Sequence, residues 1–141
     1  MAVIPDSDFG QRARRRLADE SVVWLTTTAA DGTPQPNPVW FLWEPDDEVV
    51  VIYNATDAKR LDRFAARPRV ALHFDSNGRG GDIVVLTGAA EQAPDVPQAD
   101  ENDAYLAKYG EAIGRMKMDP GQFAQAYSVP IRVRVTRVRG H

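Results

Sequence analysis

Three rhythms of apolar and polar residues divide the chain. Between Ser7 and Glu20, apolar Phe9, Ala13 and Leu17 recur every four residues behind Ser7, whose hydroxyl suits an N-cap, so a helix is predicted there. Its arginines, Arg12, Arg14, Arg15 and Arg16, fall on the other sides and read as a solvated face. The rhythm then shortens. Ser21 to Ala29 is β-branched and aromatic and stops at Ala30-Asp31-Gly32-Thr33, a strand followed by a hairpin turn. Alternate prolines at Pro34, Pro36 and Pro38 cannot donate ladder hydrogen bonds, so this stretch is expected at a sheet edge or bulge before Val39 to Trp43.

Glu48 to Asn54 is apolar on both parities, which requires cover on two sides. Thr56 or Asp57 then caps a predicted helix running to about Ala66, and Pro68 ends it. Arg69 to Asp75 alternates, with Val70, Leu72 and Phe74 on one face and His73 on the other. A glycine-rich turn at Ser76 to Gly81 leads into a strand over Asp82 to Gln92, giving an antiparallel hairpin. After a Pro-containing linker, the helical rhythm returns over about Gln98 to Met116, acidic early and basic late as the helix dipole favours. A short helix follows over Gly121 to Ala126. The last strand, Val129 to Arg139, alternates Ile131, Val133 and Val135 with Arg132 and Arg134 until Val138 breaks the register. Six strands in hairpin-rich order predict a mainly β fold, an antiparallel barrel with helices at its ends or sides, as a single domain over 1–141.

Composition narrows the chemistry. The 141 residues contain no cysteine and two histidines, His73 and His141, which leaves no thiolate nucleophile and too few nitrogens for a usual zinc site, so no metal is expected. The N-terminus lacks a basic region followed by an apolar core, and no apolar run approaches the roughly 18 residues of a membrane span; a cytoplasmic protein without a membrane partner is expected. A formal charge of −3 and the absence of aromatics among Arg132, Arg134, Arg137 and Arg139 argue against nucleic acid as a partner. Gly78-Arg79-Gly80-Gly81 precedes a strand where a phosphate loop would precede a helix, so it reads as a turn.

Asn54-Ala55-Thr56-Asp57-Ala58-Lys59-Arg60-Leu61 is more informative. A strand end, a hydroxyl and the first turn of a short helix bring free backbone N–H groups and two cations together, which suits an anion such as phosphate; an ordinary capped helix with solvated cations fits the same residues.

The order of these segments carries a resemblance. Val22-Val23-Trp24-Leu25-Thr26-Thr27, Asp31-Gly32, Pro38-Val39-Trp40-Phe41, Thr56-Asp57-Ala58-Lys59 with Leu61, and Pro68-Arg69-Val70-Ala71-Leu72 resemble the pyridoxamine 5′-phosphate oxidase-like split-barrel proteins. Tyr105 to Gly110, Met118-Asp119-Pro120 and Tyr127 to Val133 resemble, more narrowly, the actinobacterial subgroup of oxidoreductases dependent on the deazaflavin coenzyme F420. The resemblance implies a six-stranded split barrel that forms a homodimer with the cofactor at the subunit interface. By position, Lys59 would pair with the cofactor phosphate, helped by Thr56, Asn54 and Arg60, and the backbone of Val39, Trp40 and Phe41 would line the tricyclic ring. The implied activity is hydride transfer from reduced F420 to a small hydrophobic acceptor. The same barrel also serves FMN-dependent oxidoreductases and non-catalytic proteins that hold a flavin, deazaflavin or haem. No residue is marked as catalytic; Tyr53, His73 and Tyr127 are possible proton donors, and Arg12, Arg14, Arg15, Arg16, Arg60 and Arg63 are possible partners for an anionic cofactor tail. The C-terminal basic residues with which other members bind pyridoxamine phosphate have no match here.

Overall fold

The computed structural model describes residues 2–141. One antiparallel sheet organises the chain, with seven strands: β1 (Val23–Thr28), β2 (Pro34–Val39), β3 (Leu42–Glu44), β4 (Val49–Asn54), β5 (Arg69–His73), β6 (Val84–Gln92) and β7 (Val129–Gly140). Their spatial order is β2-β1-β5-β6-β7-β4-β3. The two edge strands, β2 and β3, are consecutive in the chain and separated only by Trp40 and Phe41. The sheet therefore curls so that one segment, 34–44, starts on β1 and finishes on β4. Seven strands replace the six expected because this segment changes partner in its middle. The barrel is split where one strand cannot follow both neighbours at once.

The prolines lie where ladder chemistry allows them. β2 pairs only with β1, in the register Trp24↔Pro38, Thr26↔Pro36 and Thr28↔Pro34, so their missing N–H groups cost the sheet nothing on its open side. The register break before Val138 also has a cause. β6 and β7 pair Thr87 with Arg137 but Gly88 with Val135, a bulge that gives β7 one extra residue at Thr136 and moves the inward parity from Val135 to Val138. Gly88 is required here, because a Cβ at this position would overlap the carbonyl of Arg134.

Four helices cover the sheet: α1 (Asp8–Asp19), α2 (Lys59–Ala66), α3 (Asp103–Arg115) and α4 (Pro120–Ala126). Ser7 caps α1 through its hydroxyl, as expected, and Asn102 and Asp119 cap α3 and α4. A short 3-10 turn over Ala99–Glu101 precedes α3, so the predicted start near Gln98 moves to Asp103. Neither Thr56 nor Asp57 caps α2: both are exposed in a turn, and the N-cap is Ala58, which has no side-chain acceptor. The arginines of α1 are not a solvated face. Arg12 and Arg16 pair with Asp82, Arg16 also pairs with Glu20, and Arg14 donates to the Ile4 and Pro5 carbonyls; only Arg15 is exposed.

Two apolar clusters result. One fills the barrel and includes Leu17, Leu25, Phe41, Ile52, Leu72, Leu86 and Ile131. The other lies outside it, where Val49, Val51 and Tyr53 of β4 meet Tyr105, Tyr109 and Ile113 of α3 and Phe123 of α4. All six residues of β4 are buried, and the second face is covered by the chain's own helices. Two-sided burial of β4 thus needs no partner subunit. Among the described residues, no helix is long and apolar enough to cross a membrane.

Candidate functional site

The partner switch in segment 34–44 leaves Trp40 outside the ladder, and α3 fixes it there. The Tyr109 hydroxyl accepts from the Phe41 N–H at 2.8 Å and lies within hydrogen-bond reach of the Phe41 and Ser21 carbonyls, while the Lys108 ammonium donates to the Phe41 carbonyl at 2.8 Å. These bonds satisfy backbone groups that the sheet cannot serve at the break. Lys108 also lies over the Phe41 ring, 3.7 Å from its centroid, and among the described residues no carboxylate forms an ion pair with it, Asp19 acting only from a distance. Burial holds its ammonium down at about 8.

With Phe41 turned into the barrel core, Trp40 stacks on Tyr109 at 4.6 Å and on Phe123 at 5.6 Å between centroids. Beside this stack opens a cleft of about 310 Å³. Pro38, Val39 and Trp40 form one wall and Arg60 another; Tyr53, Tyr105, Phe123 and Tyr127 supply aromatic surface from β4, α3, α4 and the residue after it. Its size lies at the lower end of small-molecule sites, and its make-up, mostly apolar with one cation, is typical of them. Larger open grooves among the described residues have a different character. One of about 600 Å³ is lined by carboxylates, among them Glu44, Asp46, Asp47 and Asp95, and one of about 680 Å³ runs over the outer sheet face near Thr26, Ala71 and Thr87.

Arg60 is the polar feature of the cleft. Its Nε donates to Asn54 Oδ1 at 2.6 Å, and Asn54 is fully buried with its amide nitrogen donating to the Ile52 and Val129 carbonyls. Asn54 therefore orients Arg60 without neutralising it. Among the described residues no carboxylate pairs with Arg60, and burial together with nearby Arg63 lowers its pKa. A half-buried cation beside a second cation favours an anion. The start of α2 adds to this, because Ala58 cannot cap it and the Lys59 and Arg60 N–H groups have no acceptor among the described residues.

The expected residues divide accordingly. Val39, Trp40 and Arg60 come together in the cleft, and Asn54 stands behind Arg60. Lys59 is exposed at the first position of α2, next to the cleft but not in its wall, and Thr56 is exposed in the preceding turn. Both backbone groups of Phe41 are engaged by α3. Of the possible proton donors, Tyr53 and Tyr127 line the cleft, while His73 lies on the outer sheet face, stacked on Trp24 at 6.3 Å. Arg12, Arg14 and Arg16 are engaged elsewhere, as described above. Two further lining residues, Tyr105 and Phe123, are not marked in the sequence as site residues: Tyr105 enters only as the start of a stretch that carries the family resemblance, and Phe123 only as part of a predicted short helix.

Comparison with known proteins gives this geometry a context. The model of the family described as pyridoxamine 5′-phosphate oxidase matches residues 9–141. No curated protein sequence matches the chain. Among solved structures, one named as an F420 reductase is 25% identical, with 89% of this chain and 94% of that chain covered and a TM-score of 0.65. A FAD-binding protein from Mesorhizobium loti is 22% identical over 91% and 90% of the two chains, at a TM-score of 0.65. General Stress Protein 26 from Bacillus anthracis is 15% identical over 91% and 89%, at 0.67, a likeness of fold alone.

Proposed function

The chain belongs to the pyridoxamine 5′-phosphate oxidase family, and we propose that within it this protein is an F420-dependent oxidoreductase acting on a small hydrophobic acceptor. The observation that carries the proposal is Arg60, a cation held by Asn54 and unpaired by any described carboxylate, in the wall of an aromatic cleft. The residues fit a flat, anionic cofactor. Arg60, Lys59 and the uncapped first turn of α2 would hold its phosphate, and Val39 and Trp40 would flank its ring. Similarity to an F420 reductase favours a deazaflavin over FMN. When bound, the reduced deazaflavin supplies a hydride to an electron-poor double bond or carbonyl. The chain's part is to orient both molecules and keep water from the aromatic walls.

A homodimer belongs to the same proposal. Support comes from the outer sheet face, where Trp24, Ala71, His73 and Val85 are half-buried beside the open groove over Thr26, Ala71 and Thr87. Sedimentation at monomer mass would remove this part.

Titration with F420 and with FMN, read by quenching of tryptophan fluorescence, tests the cofactor. F420 is expected to bind more tightly than FMN, and Arg60→Ala to weaken it by about 1.5–3 kcal/mol, the scale of a hydrogen bond to a charged group. Lys59→Ala should have the smaller effect. FMN binding without F420 binding overturns the deazaflavin reading, and F420 binding without turnover of any acceptor points to a carrier.

A further inference from the structure

Four tyrosines gather around the cleft, and their hydroxyls have different fates. Tyr53 donates to the Pro97 carbonyl at 2.6 Å and accepts from the Asn102 amide. Tyr109 is consumed at Phe41 and Ser21. Tyr127 is half-exposed, so water can serve it. Tyr105 is 1% exposed, packs edge-on against Tyr53 at 4.7 Å and against Tyr109 at 4.8 Å, and lines the cleft. Its hydroxyl has no hydrogen-bond partner among the described residues and is not sealed from solvent: the sliver of Tyr105 surface left open includes the hydroxyl, on the cleft side. In the free protein water in the cleft can serve it; a ligand that fills the cleft displaces that water and must offer an acceptor in its place.

We infer that the Tyr105 hydroxyl is a hydrogen-bond donor to a ring carbonyl of the molecule seated in the cleft, so that the cleft selects flat conjugated carbonyl compounds over plain aromatic hydrocarbons. The inference rests on the cleft being the ligand site, as proposed above, and not on which cofactor fills it. Burial, with Tyr109, Tyr53 and Tyr127 alongside, pushes the phenol upward, so it keeps its proton and acts as a donor throughout the working pH range. Trp40 and Phe123 supply flat apolar surface that binds any ring, and such surface discriminates weakly. A cleft-facing donor with no internal partner discriminates more sharply, because a ligand without an acceptor displaces its water and leaves it unpaired. The carbonyl can belong to the pyrimidinedione end of a flavin-type ring or to the organic acceptor; both present the same chemistry to the phenol.

The test compares wild type with Tyr105→Phe for three rings: lumichrome, a flavin-type ring without phosphate; menadione, a quinone; and 2-methylnaphthalene, which has no carbonyl. Quenching of Trp40 fluorescence reads affinity, with Trp40→Phe identifying the signal. Tyr105→Phe is expected to lose about tenfold in affinity for a carbonyl ring and nothing for 2-methylnaphthalene. A loss confined to lumichrome assigns the donor to the cofactor, and one confined to menadione assigns it to the acceptor. Infrared difference spectra supply a second readout: the carbonyl stretch of the bound ring should be lowered in wild type and restored in Tyr105→Phe. Equal affinities and unshifted carbonyls overturn the inference, as does failure of every ring to bind wild type. The Arg60→Ala titration with F420 judges the cofactor reading separately.

Discussion

Asn54 and Arg60 form a buried-to-half-buried pair in which a neutral amide oxygen, at 2.6 Å, receives the Nε of a guanidinium that no described carboxylate neutralises. The amide nitrogen is itself spent on two backbone carbonyls, so the pair couples the end of β4, the start of β7 and the first turn of α2. Asn54→Asp would place a carboxylate on Arg60 in place of the amide. Anion binding should then fall about as far as in Arg60→Ala, and stability should fall as well because the Ile52 and Val129 carbonyls lose their donor, with a native circular dichroism spectrum checking that the fold is kept; an unchanged F420 affinity would show that Arg60 is not the anion's partner.

Tyr109 predicts a stability effect. Its hydroxyl is the acceptor for the Phe41 N–H at the point where the sheet changes partner, and the Tyr109→Phe variant leaves that buried donor unpaired. Urea unfolding should show a loss of about 1–3 kcal/mol. Tyr105→Phe, by contrast, removes a hydroxyl with no internal partner and should leave unfolding within about 0.5 kcal/mol of wild type.

Lys108 predicts a pH dependence. Its folded-state value, about 8, lies below the ordinary 10.5, so between these values the unfolded chain binds more protons than the folded one. Stability from this group is therefore lowest below pH 8 and rises with pH up to about 10.5. The difference in melting temperature between wild type and Lys108→Met should move in favour of wild type over that window. A difference that stays flat from pH 7 to 10.5 would mean that the ammonium titrates normally.

Gly88 predicts the importance of the bulge. Gly88→Ala places a methyl against the Arg134 carbonyl and must open the β6–β7 ladder or shift its register. A loss of more than about 2 kcal/mol in urea unfolding is expected, whereas Gly110→Ala, in open space within α3, should be neutral or stabilising.

Features that neighbouring residues decide are legible along the chain. The helix behind Ser7, the edge position of Pro34, Pro36 and Pro38, the two buried faces of β4 and the broken alternation at Val138 follow from side-chain period, φ restriction and missing donors, all of which act within a few residues. Which helix covers β4, which strand takes over at Trp40–Phe41 and which α1 arginines find Asp82 depend on contacts between residues tens of positions apart. The site shows the same divide. Local spacing marked Asn54, Lys59 and Arg60 as an anion locus, but it could not separate exposed Lys59 from cleft-lining Arg60, since one residue along a helix is a turn of about 100°. Nor could it bring Tyr105 to the same cleft. Only the packing of α3 against β4 does that, because hydrophobic burial fixes which face of a helix is hidden and the tertiary arrangement fixes what that face meets.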